Sequence, residues 1–275
     1  MNIIQFLDEF TSENLEAKKS SRREMFGTFG SLGKKAVMSA IPLGLATMPG
    51  KAFAQDSGNA AVDALQLALT LEYLEDEFYQ RALDCISLPD GRPRTVYEQI
   101  AQHEAAHVDF LIAGLEGAGA DPVAKPEFDF TAGGMFDPFL ENGNDVETAY
   151  AQLLALAQAF EDTGVRAYKG QATNLQGTPF LTAALQIHSV EARHASEIRR
   201  LRGLKGWITG SERGAGMPEA TQAVYNGEEN LTQGGVDVTT LGDGDPFGFD
   251  SSTQAYDEPL TADAAVAIAS LFIKS

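Results

Sequence analysis

Residues 103–107 read HEAAH and residues 191–194 read EARH. Each holds a glutamate followed three residues later by a histidine: Glu104 with His107, and Glu191 with His194. On a helix, side chains three apart share one face, roughly 60° from each other. A carboxylate and a neutral imidazole so placed converge on one point and form a donor set for a divalent metal. Taken alone, the first motif also has the H-E-x-x-H form of a zinc metalloprotease. In that reading His103 and His107 bind zinc and Glu104 is the general base.

Two further glutamates change the balance. Glu72 stands 32 residues before Glu104, and Glu161 stands 30 before Glu191. Each is followed seven residues on by a tyrosine, Tyr79 and Tyr168. The offset from Glu72 to Glu161 is 89 residues and that from Glu104 to Glu191 is 87, so the chain reads as an internal repeat. One E-x-x-H is a weak signal, because a polar helix face produces it readily. Two copies, each preceded by a lone glutamate inside an apolar stretch, are a strong one, since buried carboxylates are costly unless paired or metal-bound. Four carboxylates and two imidazoles can hold two divalent cations, and oxygen and imidazole donors suit two iron ions or manganese. The expected ligands are therefore Glu72, Glu104, His107, Glu161, Glu191 and His194.

The repeat weakens the protease reading, because Val190 occupies the place of His103 in the second unit. Glu104 then becomes a ligand, and His103, turned about 100° around the helix, becomes a candidate to support the site from beside its ligands. Tyr79 and Tyr168 fall almost beneath their glutamates, either as core aromatics or as hydrogen-bond donors to ligand carboxylates. Glu75 is the substitute if Glu72 is not the ligand; otherwise it supports the site or is solvated. His188, three residues before Glu191, is expected at the surface or the core edge, within reach of the site's rim.

The elements that must position these groups are helical. Apolar residues recur at steps of three and four over 64–86, 97–119, 149–172 and 180–204. Pro89, Gly91 and Pro93 separate the first two helices, and Gly177 and Pro179 the last two. The stretch 121–145 is too long for a tight turn and predicts a long crossover between two helical hairpins. Residues 205–275 have little periodicity and much Gly, Asp and Thr. Trp207, Tyr225, Val236, Leu241, Phe247 and Phe249 recur along this stretch, so an irregular segment laid over the helices is expected, ending in a short helix over 260–273 capped by Thr261 or Asp263.

Composition bounds the function. The 275 residues carry a formal net charge of −19, which argues against a nucleic-acid partner. Cys85 is the one cysteine, so no internal disulfide and no Cys-based zinc or iron–sulfur site can form. Ser21-Arg22-Arg23 followed by Phe26 resembles a twin-arginine export signal, and Ala52-Phe53-Ala54 an A-x-A cleavage site. Residues 1–54 are thus expected to be a signal region that engages the twin-arginine export machinery and is cleaved after Ala54, leaving a chain that is periplasmic or otherwise exported. Lys34 and Lys35 interrupt its apolar run, so no stable membrane insertion is expected after cleavage.

The stretches LALTLEYLEDEFYQRAL, IAQHEAAHVDFL, FEDTGVRAY and SVEARHASEIRRL make the chain resemble the ferritin-like superfamily. The resemblance is to its secreted bacterial branch, which also includes desiccation-related proteins of plants. The Glu/Tyr spacing is similar to that of rubrerythrin-type bundles. This implies an all-α, up-down-down-up four-helix bundle over 55–204, with the tail 205–275 outside the general pattern. It also implies a carboxylate-bridged dimetal centre that activates oxygen or peroxide, or oxidises ferrous iron, with metal ions and small oxidants as partners and a homo-oligomer as a possible assembly. There is no Cys-x-x-Cys pair and hence no built-in rubredoxin-like electron donor. The alternative is a non-catalytic stress or desiccation protein.

Overall fold

A computed structural model describes residues 58–242 and 247–274. The signal region 1–54, with Arg22, Arg23 and the cleavage position after Ala54, lies outside the described residues. Four long helices dominate: α1 (Gly58–Asp84), α2 (Arg92–Gly117), α3 (Val146–Gln171) and α4 (Phe180–Leu201). The fold is the all-α bundle expected. Helix α2 starts earlier than the apolar spacing suggests, because Pro93 occupies its first turn. A proline there lacks only an N–H that has no intrahelical partner in any case. Asp145 caps α3 by accepting from the Thr148 N–H.

Contacts between pairs of helices give the topology. Glu72 on α1 meets His107 on α2, while Tyr79 meets Tyr97, so these helices run antiparallel. Tyr168 on α3 meets Glu72, and Glu161 meets Tyr79, so α1 and α3 are antiparallel too. His103 meets His194, and His107 meets Glu191, which makes α2 and α4 antiparallel. The order is up-down-down-up, and the crossover between α2 and α3 supplies the change of sense.

The apolar stripes form two cores. One gathers Leu74, Phe78, Tyr97, Ile100, Leu156 and Ile198. The other gathers Leu65, Leu69, Leu111, Leu115, Phe180 and Ala184. Each buried Leu or Phe contributes roughly 1.5–3 kcal/mol relative to exposure. On every helix the carboxylate and histidine positions lie between residues of the two cores, so a polar layer crosses the bundle at its middle.

Helix α3 is buried without a break from Leu153 to Tyr168. Its second face is covered by the segment that follows α4. That segment holds a 3-10 turn (Glu219–Val224), a two-stranded antiparallel hairpin of β1 (Thr232–Gln233) and β2 (Val236–Asp237), and the short helices α5 (Phe249–Thr253) and α6 (Ala262–Ala269). Thr261 caps α6 through the Ala264 N–H. Its anchors differ from those the sequence suggests. Tyr225 is fully buried, but Trp207, Val236, Leu241, Phe247 and Phe249 are each more than 40% exposed. Ile208, Met217, Val224, Leu260 and Ile268 make the contact instead.

The polar residues on the outer face of α3 are satisfied by this segment. Arg166 pairs with Glu228 at 2.7 Å and donates to the carbonyls of Val224, Asn226 and Glu258. Asp162 accepts from both terminal guanidinium nitrogens of Arg199 at 2.5 Å and from the Tyr225 hydroxyl. The Leu260 N–H donates to the Arg166 carbonyl, and Gly170 leaves the room this requires. Beyond α6, Phe272 enters the core shared with Phe136 and Phe160, and Ile273 bridges antiparallel to Phe128 of the crossover.

Candidate metal centre

Each of the four helices sends one glutamate into the middle layer. Glu72, Glu104, Glu161 and Glu191 are all fully buried, and His194 is 5% exposed. Helical spacing places His107 and His194 one turn beyond Glu104 and Glu191, so the two imidazoles enter the layer from α2 and α4. Glu72 and Glu161 face them from α1 and α3.

The distances divide this layer into two clusters. His107 Nδ1 lies 3.2 Å from Glu72 Oε2, 3.1 Å from Glu104 Oε2 and 3.1 Å from Glu191 Oε1. His194 Nδ1 lies 3.0 Å from Glu104 Oε1, 3.1 Å from Glu161 Oε2 and 3.6 Å from Glu191 Oε2. Glu104 and Glu191 each turn one oxygen to either cluster, while Glu72 and Glu161 belong to one cluster each. Two of the four carboxylates are thus shared between the clusters, and two belong to one cluster each.

The tyrosines complete the unshared pair. Tyr79 donates to Glu161 Oε1 and Tyr168 to Glu72 Oε1, each reaching the carboxylate of the other half of the repeat. The remaining oxygen, Oε2 in both cases, faces the cluster. Burial, and then the neighbouring glutamate charge, push both phenols well above their usual range, so they remain protonated donors.

The electrostatics follow from crowding. Burial, and next the Glu191 charge, raise Glu104 to about 8. Burial likewise raises Glu161. Burial opposes charge on His107, but Glu72, Glu104 and Glu191 outweigh it and hold the imidazolium far above its usual range. Glu161, Glu104 and Glu191 do the same for His194. Burial alone would raise Glu191, yet the two imidazoliums at ion-pair distance bring it below the usual carboxylate range.

One Nδ1–H cannot serve three carboxylates. Both oxygens of Glu191 and Oε1 of Glu104 are buried without a hydrogen bond, although imidazole nitrogens lie at ion-pair distance. A cation in each cluster would satisfy all of them, with the imidazoles neutral at Nδ1. The oxygen and imidazole donors of the six residues therefore fit divalent metal ions.

The other sequence candidates are distributed around this layer. Glu75 is 2% exposed, and its carboxyl is pushed well up by burial and then by Glu191. It is set beside the layer rather than solvated, in space kept open by Gly164, where an added Cβ would lie 3.4 Å from both Glu75 Oε1 and Glu191 Oε2. His188 joins neither cluster; it is half-buried with an unpartnered Nε2. His103 joins neither cluster as well, but it is not incidental: its Nδ1 lies 2.8 Å from His194 Nε2. A zinc site on His103 and His107 would need both on one ion, and His103 turns instead to the far side of His194. The Asp162–Arg199 pair, one residue from Glu161 and five from His194, carries no motif and was not signalled by the sequence.

The family model of the ferritin-like domain matches residues 60–204, the span from the first turns of α1 to the end of α4. No curated protein matches the chain.

Proposed function

Because the chain belongs to the ferritin-like domain family, we propose that it is an exported dimetal protein whose two iron or manganese ions carry redox chemistry on peroxide or on ferrous iron. The observation that carries this reading is the sharing of Glu104 and Glu191 between two buried carboxylate–imidazole clusters. Glu72 and His107 would complete one metal position, and Glu161 and His194 the other. A metal pair so held supplies a two-electron couple to a small oxidant.

The residues supply position and exclusion. Tyr79 and Tyr168 keep their protons on Oε1 of Glu161 and Glu72, which orients Oε2 of each toward a metal. The apolar cores above and below keep bulk water from the layer. Beside Tyr168, among Leu65, Ala68, Leu111, Phe180 and Ala184, the free space is about 10 Å³, room for one water-sized molecule.

Metal analysis of protein purified from its native compartment tests the reading. About two iron or manganese ions per chain, with peroxide consumption or ferrous oxidation, are expected; fewer than one ion per chain and no turnover would sink it. Export rests on the sequence around Arg22 and Arg23. Replacing both by lysine is expected to leave the full 29.4 kDa chain in the cytoplasm.

A further inference from the structure

The repeat makes the two metal positions look alike, but the surroundings of the two histidines differ. His194 Nε2 lies 2.8 Å from His103 Nδ1. The two rings are inclined by only 13° with centroids 5.1 Å apart, so they lie edge to edge in one plane, joined by a hydrogen bond. His103 Nε2 in turn lies 2.8 Å from the side-chain amide nitrogen of the exposed Gln99. For His107, no side chain among the described residues hydrogen-bonds Nε2. The reason is in the sequence: the residue four before His194 is Val190, where the residue four before His107 is His103.

Resting on the dimetal reading above, we infer that His103 is a positioning residue for one metal only, the one held by Glu161 and His194. A metal takes the lone pair of His194 at Nδ1, which leaves the proton on Nε2. That proton needs an acceptor, and His103 Nδ1 is the one in reach. Having accepted there, His103 carries its own proton on Nε2, and the Gln99 amide, turned over from the orientation that places its nitrogen there, accepts it through its oxygen. The chain Gln99–His103–His194 fixes both the tautomer and the ring plane of one metal ligand. Its counterpart His107 lacks this support, so the chain builds a tighter metal position and a looser one from a repeated motif. Partners of this kind contribute roughly 10–100-fold in metal affinity.

The test is manganese(II) titration of the full chain after chelator treatment, with unbound ion counted by its electron paramagnetic resonance signal. The unsubstituted protein is expected to take up two ions with different affinities. His103→Ala should weaken the tighter step by roughly 10–100-fold and leave the looser one unchanged. His103→Asn should restore most of the loss, because Asn Oδ1 can stand where His Nδ1 accepts. A purely structural role for His103 would not be rescued in this way. Two ions bound with unchanged affinities in His103→Ala, or both steps weakened equally, would overturn the inference and leave the dimetal reading intact. Failure of the unsubstituted chain to take up two ions would overturn both.

Discussion

Tyr168 donates its hydroxyl to Glu72, 96 residues away, and so fixes which oxygen of that carboxylate faces the cluster. Tyr79 does the same for Glu161. Tyr168→Phe should leave a buried carboxylate oxygen without its donor, at a cost of about 1–3 kcal/mol. The expected outcome is a lower denaturation midpoint in the metal-free protein, together with weaker binding of the ion on the Glu72 side. Chemical denaturation and manganese titration of Tyr168→Phe and Tyr79→Phe check this, and each variant should affect the ion on its own side.

Shared and unshared carboxylates predict different losses. Glu104→Ala or Glu191→Ala removes an oxygen from both clusters, so neither ion should be retained after gel filtration. Glu72→Ala or Glu161→Ala should still allow one. Metal content per chain by elemental analysis separates the two classes, and equal losses in all four variants would contradict the sharing.

The metal-free protein should lose stability as the solution becomes alkaline. Glu104 titrates at about 8 in the folded chain, and His107 and His194 are held above their usual range. Unfolded, these groups would titrate near about 4.3 and 6.5. Between the unfolded and folded values the native chain binds more protons, so stability falls as pH rises. Glu191, held below its usual range, acts oppositely: its contribution is present above the ordinary carboxylate range and lost as the pH falls through its lowered folded value. Metal affinity has the reverse slope at alkaline pH, because a cation must displace the protons. Thermal unfolding should therefore give a lower Tm at pH 8.5 than at pH 6 without metal, and a larger manganese-induced rise at pH 8.5.

The segment after α4 should be an integral part of the fold. Arg166→Met would leave Glu228 buried without its cation, and breaking such a pair costs about 3–5 kcal/mol. Gly170→Ala would bring a Cβ to 1.8 Å from the Leu260 carbonyl oxygen, so the backbone must move apart. Overpacking of this kind costs roughly 1–3 kcal/mol. Both variants should lower the denaturation midpoint, and an unchanged midpoint in Arg166→Met would refute the structural role assigned to that pair.

The bundle was legible because helical periodicity is regular. Steps of three and seven place Glu104 with His107, and Glu72 with Tyr79, on single faces whatever the partner helix does. The tyrosines were harder, since the sequence sets each beneath its own glutamate, while the antiparallel pairing of α1 and α3 hands it to the other one. The sequence turns His103 away from Glu104 on its own helix, which marks it as a neighbour of the site without naming its partner. Its contact with His194 Nε2 appears only when α4 is laid alongside. The tail was least legible. Its contacts with α3 depend on irregular backbone and on buried pairs such as Arg166–Glu228, which no periodicity encodes, and its conspicuous aromatics Trp207 and Phe249 face solvent instead.

The bridge between Phe128 and Ile273 carries a consequence for how the chain is made. The crossover is synthesised near the middle of the chain, yet its aromatic cluster receives Phe272 only some 140 residues later. During translation the two helical hairpins can form while this end of the bundle stays open, with Phe136 and Phe160 short of a neighbour. A ribosome stalled before residue 272 would display that gap. Completion of the fold is thus tied to completion of this late segment, whose contacts with the crossover span a high sequence separation.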